Sequence, residues 1–299
     1  MILVTGAAGK TGRAVIRALA AREQPVRALV FRQAQVGSLE RLGAADVLLA
    51  DMRDAASLAV AMRGIRAVYH ICPNMHPDEQ AIGAAAIAAA MAAGVNRFVL
   101  HSVLFPRVKA MPHHWQKHLV EEELGASSLS HTILQPCAYM QNLLPQWNRI
   151  VESGEIAVPY ATASRLSLVD LEDVAEAAAV VLCTQGHEGA TYELCGAESL
   201  SQDDVAGILT GQLGVPVRAS VVALEDWERD ARAGDARAGD ARPAGMSDYA
   251  IDSLLRMFEY YDRNGFCGKS LDLERLLGRP ATRFGEFVRR SVMGDDDES

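Results

Sequence analysis

Cysteine is scarce and scattered in this chain. There are five in 299 residues. Cys72, Cys137, Cys183, Cys195 and Cys267 are odd in number and show no C-x-x-C spacing, which excludes a disulfide framework and a zinc ribbon and points to a reducing compartment. Positive charge is also in deficit: Lys and Arg total 29 against 38 Asp and Glu, for a formal net charge of -9. No dense basic cluster exists to neutralise phosphates, so nucleic acid is excluded as a partner and a small molecule or another protein is expected. Long apolar runs are missing as well. The longest, Ala84 to Val95, is alanine-dominated and too short to span a bilayer. A first strand starting at Ile2 leaves no room for a secretory leader, so a cytoplasmic location is expected. What the chain has instead is hydrophobic mass: 49% of its residues, enough for a large core.

The most informative stretch is the first. Residues 2–12 read ILVTGAAGKTG, a short apolar run closing on Gly6, Gly9 and Gly12, and a helical pattern begins at Arg13. An apolar strand delivers the chain to a tight turn where a side chain at Gly6 or Gly9 would collide with a diphosphate, while Gly12 lets the next helix pack against the sheet. The free amides of that helix start face the phosphates. Gly6, Ala8, Gly9, Lys10, Thr11 and Gly12 are therefore the expected cofactor cradle. The triphosphate-binding loop is excluded, because it needs a glycine five positions before Gly9 and that position is Val4.

Downstream, strands are expected at Pro25 to Phe31, Ala45 to Ala50, Ala67 to Ile71 and Arg97 to His101, with helices at Ser57 to Met62 and Gln80 to Ala93 between them. Such alternation predicts an α/β fold with a doubly wound parallel Rossmann sheet. Later strands are expected at Thr132 to Leu134 and Thr191 to Leu194, and later helices at Leu171 to Leu182 and Ser201 to Leu213. The alanine-rich helix has side chains small enough to press against the sheet or against its copy in a homodimer, close packing being the simpler reading. Beyond Gln135, Pro136, Pro145 and Pro159 break the periodicity, as expected of a smaller C-terminal α+β substrate lobe. The expected division is a nucleotide-binding core over 1–135, rejoined by 165–195, a lobe over 136–164 and 196–293, and an acidic tail over 294–299. RAGDA occurs twice within Arg232 to Arg242 and reads as a low-complexity surface loop, an inert insertion or a lid.

The end of the second strand bears on the dinucleotide. A carboxylate there suits the ribose hydroxyls of NAD, and a cation suits the 2'-phosphate of NADP. This chain offers Phe31-Arg32 and no acid until Glu40, so NADP(H) is expected, gripped by the Arg32 guanidinium. Asp51 and Met52 follow the third strand beside the adenine position, and Cys72 and Pro73 follow the fourth as a wall.

The GAAGKTG start, Lys117 to Gln135 followed by Pro136, Leu166 to Ala175 (LSLVDLEDVA), and Gly265 to Val288 with LLGRPATRFGEFV together resemble the NmrA-like branch of the atypical short-chain dehydrogenases. The resemblance implies a Rossmann core, a small C-terminal lobe and a substrate cleft between them. It implies one of two functions. One is an NADPH-dependent reductase of a small planar acceptor such as a quinone, azo dye or triphenylmethane dye. The other is a non-catalytic redox sensor that binds the dinucleotide and acts through a regulatory protein partner.

Standard short-chain dehydrogenases relay protons through Ser, Tyr and Lys, with Tyr and Lys in Y-x-x-x-K. Here Ser102 follows the fifth strand and Lys117 stands where the family has Lys or His, in catalytic and cofactor-binding roles. The tyrosine is missing: four residues before Lys117 lies His113, either a proton donor or a loop histidine without a role. Gln135 to Asn142 corresponds to the family's segment at the nicotinamide end, which makes Cys137, Tyr139 and Met140 candidate substrate contacts. Tyr139 either stacks on a substrate or donates its hydroxyl, or is a buried aromatic; Cys137 is an electrophile sensor or a small filler. Asp170 and Asp173 precede a helix, where capping explains at least one of them. His114, His118 and Glu122 share one helical face, but without H-E-x-x-H they read as a solvated polar stripe, and no metal is expected.

Overall fold

The computed structural model describes residues 1–233 and 246–293. Most of the RAGDA repeat and the acidic tail lie outside the described residues. In chain order the first half runs β1 (Ile2–Val4), α1 (Lys10–Ala20), β2 (Val26–Val30), α2 (Val36–Arg41), β3 (Asp46–Leu49), α3 (Ala55–Ala61), β4 (Ala67–His70), α4 (Glu79–Ala92), β5 (Arg97–His101), α5 (Pro112–Ala126) and β6 (His131–Pro136). The second half runs β7 (Ala138–Tyr139), α6 (Trp147–Ser153), β8 (Glu155–Val158), β9 (Leu166–Val169), α7 (Leu171–Cys183), β10 (Thr191–Leu194), β11 (Ser199–Leu200), α8 (Gln202–Leu213), β12 (Arg218–Val221), α9 (Leu224–Ala233), α10 (Asp248–Asn264), α11 (Leu271–Leu277) and α12 (Phe284–Met293).

Seven strands form one parallel sheet in the order β10-β6-β5-β4-β1-β2-β3. β1 is entirely buried, as a central strand covered on both faces must be, and so reads as an unbroken apolar run. Strand order reverses between β1 and β4, and the crevice beyond their C-terminal ends is where open α/β sheets bind ligands. Helices cover both faces, and two apolar cores result, one on each side of the sheet. α4 buries Ile82, Gly83, Ala86, Ile87 and Ala90. A Cβ on Gly83 would stand 2.6 Å from both Val120 methyls, so this alanine-rich helix is pressed onto α5.

After β6 the chain leaves the main sheet. β9 pairs with β7 and β11 in a three-stranded sheet, β12 pairs in parallel with β8, and only β10 returns to the edge of the large sheet. Two buried carboxylates tie the C-terminal segment back. Asp170 caps α7, accepting from the Glu172 amide at 3.0 Å, and also receives Arg290. Asp173 takes Arg279 at 2.8 Å and the Thr282 amide at 2.7 Å. Phe266 meets Phe105 and His114 edge-on, each with ring centroids 5.6 Å apart, and lies 5.0 Å from the Tyr261 ring.

Candidate active site

The turn after β1 is built for a diphosphate. Gly6 has φ +58, and a Cβ there would sit 3.0 Å from Ile71 at the end of β4. A Cβ on Gly12 would lie 2.5 Å from the Gly6 carbonyl and 2.6 Å from Ala7 Cα, so α1 can approach the turn only through glycine. Gly9 caps α1 with extended backbone and no side-chain hydrogen bond, which leaves the first helical amides free to meet an anion. A dinucleotide diphosphate fits that geometry. The cradle is tied to the segment after β6 by two side chains: Lys10 Nζ donates to Asn142 Oδ1 at 2.5 Å, and Thr11 Oγ1 donates to Tyr139 Oη at 3.4 Å.

At the far end of the crevice, Phe31 is 63% exposed, a flat apolar face beside Arg32. The Arg32 guanidinium is exposed and forms no ion pair among the described residues, so it is available to a phosphate. Asp51, expected beside the adenine, is paired with Arg53 at 2.8 Å, and hydrogen bonds from Arg53 lower the acid's pKa. Arg53 also reaches the Phe31 ring at 5.9 Å, which adds a second cation to this end. Met52 packs against the core. Cys72 is likewise buried, its sulfur turned to His70 Nε2 at 3.1 Å, and burial pushes its thiol up to about 12. That leaves Ile71 and Pro73 as the partly exposed wall.

Lys117 lies in α5 with 9% of its surface exposed and forms an ion pair with Glu79 of α4, which is 1% exposed. Burial alone would lower the ammonium's pKa, but the Glu79 carboxylate outweighs it and holds Lys117 above its ordinary value. Ser102, also buried, donates to Glu121, which also receives Gln135 Nε2 at 2.8 Å. Ser102 makes no hydrogen bond to Lys117 or His113 among the described residues, so the three are not assembled as a relay. His113 is buried and its Nδ1 has no hydrogen-bond partner among the described residues. Burial first, then His114 and Lys117, hold it near 2, so at neutral pH it has no imidazolium proton to give. The expected polar stripe is not solvated either. His114 and His118 are buried, and only Glu122 is exposed, 3.4 Å from His118. Among the described residues no group of His, Cys, Asp and Glu is arranged to hold a metal.

A second hydroxyl system adjoins the cradle. The buried His101, last residue of β5, contacts Tyr69 Oη through Nδ1 at 2.7 Å and Tyr139 Oη through Nε2 at 2.9 Å. Burial, reinforced by Lys117, lowers His101 to about 3, and burial raises both tyrosines. Cys137 and Met140 belong to the apolar core, so of the three expected substrate contacts only Tyr139 is partly exposed.

Glu79, His101, Tyr69 and Arg53 escape a reading of the sequence. Two of them left a signal. Glu79 is the only ionisable residue of α4, and His101 ends a strand at the carboxyl edge of the sheet, where ligands bind.

The chain is 30% identical over 291 residues to an NAD(P)H azoreductase of Xenophilus azovorans, covering 97% of each. In structure it superposes on an NADPH-dependent quinone oxidoreductase of Escherichia coli complexed with NADPH, with TM-score 0.83 and 27% identity over 98% of this chain and 100% of that one. A Citrobacter triphenylmethane reductase complexed with NADP(H) shares the fold at TM-score 0.82 and 24% identity, over 97% and 99% of the two chains. Among the described residues no helix is long and apolar enough to cross a membrane. The glycine spacing, the reversal of strand order at the cradle and the match of residues 1–285 to the model of the NmrA-like family agree, and the chain belongs to that family.

Proposed function

We propose that this protein is a cytoplasmic reductase that binds NADP(H) across the β1–α1 turn and reduces a small, flat, electron-poor acceptor such as a quinone or a dye. The observation that carries the reading is the link between cradle and lobe. Thr11 and Lys10, at the start of α1, bond directly to Tyr139 and Asn142, which brings the segment after β6 up against the cradle. Bound there, NADPH supplies a hydride.

The chain's own residues do the rest. Amides at the start of α1 neutralise the diphosphate, Arg32 selects the 2'-phosphate, and Phe31 offers a stacking face for adenine. Lys117 is held charged in its buried ion pair with Glu79, which fixes the ammonium between α4 and α5. Residues 1–135 with 165–195 serve as the nucleotide-binding core, and 136–164 with 196–293 shape the acceptor. Relatives named for azo-dye and quinone reduction support this substrate class.

The test is turnover. Purified protein is expected to oxidise NADPH with quinones, azo dyes or triphenylmethane dyes and to bind NADPH in calorimetry. Binding without turnover on any acceptor would replace the reductase reading with a dinucleotide sensor.

A further inference from the structure

The hydrogen bonds of His101 have a single direction that leaves no buried hydrogen stranded. Tyr69 is fully buried, and His101 Nδ1 at 2.7 Å is the hydrogen-bond partner of its hydroxyl among the described residues. A neutral imidazole has one N–H and one bare nitrogen. If Nδ1 carried the hydrogen, it would donate to Tyr69 Oη, and the Tyr69 hydroxyl hydrogen would be stranded in the core without an acceptor. The satisfied arrangement is the other one: Tyr69 O–H donates to Nδ1, and Nε2–H donates to Tyr139 Oη at 2.9 Å. Thr11 Oγ1 donates to the same oxygen at 3.4 Å. Tyr139 therefore receives two donors, and its own hydrogen is left for something outside this network. Tyr139 is also the member of the system that is partly exposed, beside the cradle.

We infer that Tyr139 is the catalytic acid of the reductase, its hydroxyl aimed at the acceptor by His101 and Tyr69 as positioning residues. The inference rests on the reductase reading above. It also supplies the proton donor that the absent Y-x-x-x-K tyrosine would have been, from a different element and with a different support. Once a quinone has taken up hydride, its oxygen carries negative charge. The Tyr139 O–H bond breaks, the proton forms the new O–H bond on the product, and the phenolate electron pair stays on Tyr139. His101 Nε2–H and Thr11 O–H stabilise that phenolate, with the Lys10 ammonium 5.2 Å from the ring centroid, until water returns a proton. Tyr69 gives up no proton; it fixes the tautomer and the ring.

Two acceptors separate proton delivery from hydride delivery. A quinone needs both, whereas a cationic triphenylmethane dye is neutralised by hydride alone. In Tyr139→Phe the ratio of quinone to dye turnover is expected to fall about 100-fold. In Tyr69→Phe it is expected to fall about 10-fold. NADPH affinity, measured by fluorescence, reports whether each variant is folded. Independently of activity, nitrogen-15 NMR of the wild type is expected to show His101 as the Nε2–H tautomer, with Tyr69→Phe shifting it toward Nδ1–H. An unchanged acceptor ratio in folded Tyr139→Phe, or an Nδ1–H tautomer in the wild type, would overturn the assignment. Failure of the wild type on both acceptors would instead reject the reductase reading, and the NMR result would still decide the His101 geometry.

Discussion

Arg32 and Lys117 are both cations, but they are held in opposite ways. Arg32 is exposed and free of ion pairs among the described residues, so its worth appears only when a phosphate arrives. Replacing it with Glu is expected to raise the dissociation constant for NADPH at least about 10-fold more than that for NADH, because a charge-assisted bidentate contact becomes a repulsion. Titration with each coenzyme reads this out, and equal losses would reject the phosphate contact. Lys117 is committed to a buried carboxylate. Removing the partner leaves an uncompensated buried ammonium, so Glu79→Gln is expected to cost about 3–5 kcal/mol in denaturant unfolding. Glu79→Gln with Lys117→Met should recover most of that loss; a single variant as stable as the wild type would show the pair to be solvated. Lys117 can be singled out in the sequence but Glu79 cannot, because the pair meets only when α4 packs on α5. The same blindness explains the histidines of α5. Their spacing is visible along the chain, but the packing of His114 against Phe266, far away in sequence, is not.

At the scale of elements, β1, its turn and α1 act as one device. Gly12 is the point where α1 crosses the turn, and the space for a Cβ is already taken by backbone. Gly12→Ala is expected to weaken NADPH binding about 10-fold or more and to destabilise the fold by about 1–3 kcal/mol, the usual cost of overpacking. Calorimetry and thermal unfolding check both, and wild-type binding would mean that the turn does not grip the diphosphate. These elements are legible because strands buried on both faces are continuous apolar runs. β5 is found at Arg97–His101, as that pattern predicts; β10, found at Thr191–Leu194 as expected, is an edge strand in which only Leu194 is buried. The lobe is not legible in that way. β12 is four residues, RASV, half-buried to exposed, and it pairs with β8, which lies some sixty residues earlier, so neither periodicity nor proximity marks it. β9 is as apolar as a core strand but lies in the small sheet with β7 and β11.

The whole molecule carries an acid-labile centre. His70 and His101 are held near 3, His114 near 4 and His113 near 2, burial being the first cause in each case. In the unfolded chain the same side chains titrate near 6.5. Below that pH the unfolded state binds protons that the native state refuses. Stability is therefore complete above pH about 6.5 and is lost as pH falls toward the folded values, by about 1.4 kcal/mol per pH unit for each histidine. Unfolding near pH 5 is expected to take up about four protons from solvent onto these residues, seen as a steep fall of unfolding free energy between pH about 6.5 and about 5. A flat profile there would mean that the histidines are solvated.

The central claim is that hydride passes from NADPH bound at the β1–α1 turn directly to the acceptor. It is tested by a single turnover of a cationic triphenylmethane dye with NADPH deuterated at the nicotinamide carbon that donates hydride, followed by mass spectrometry of the colourless product. Because the new C–H bond does not exchange with water, one retained deuterium per product molecule is expected. Product formed without deuterium would contradict the account.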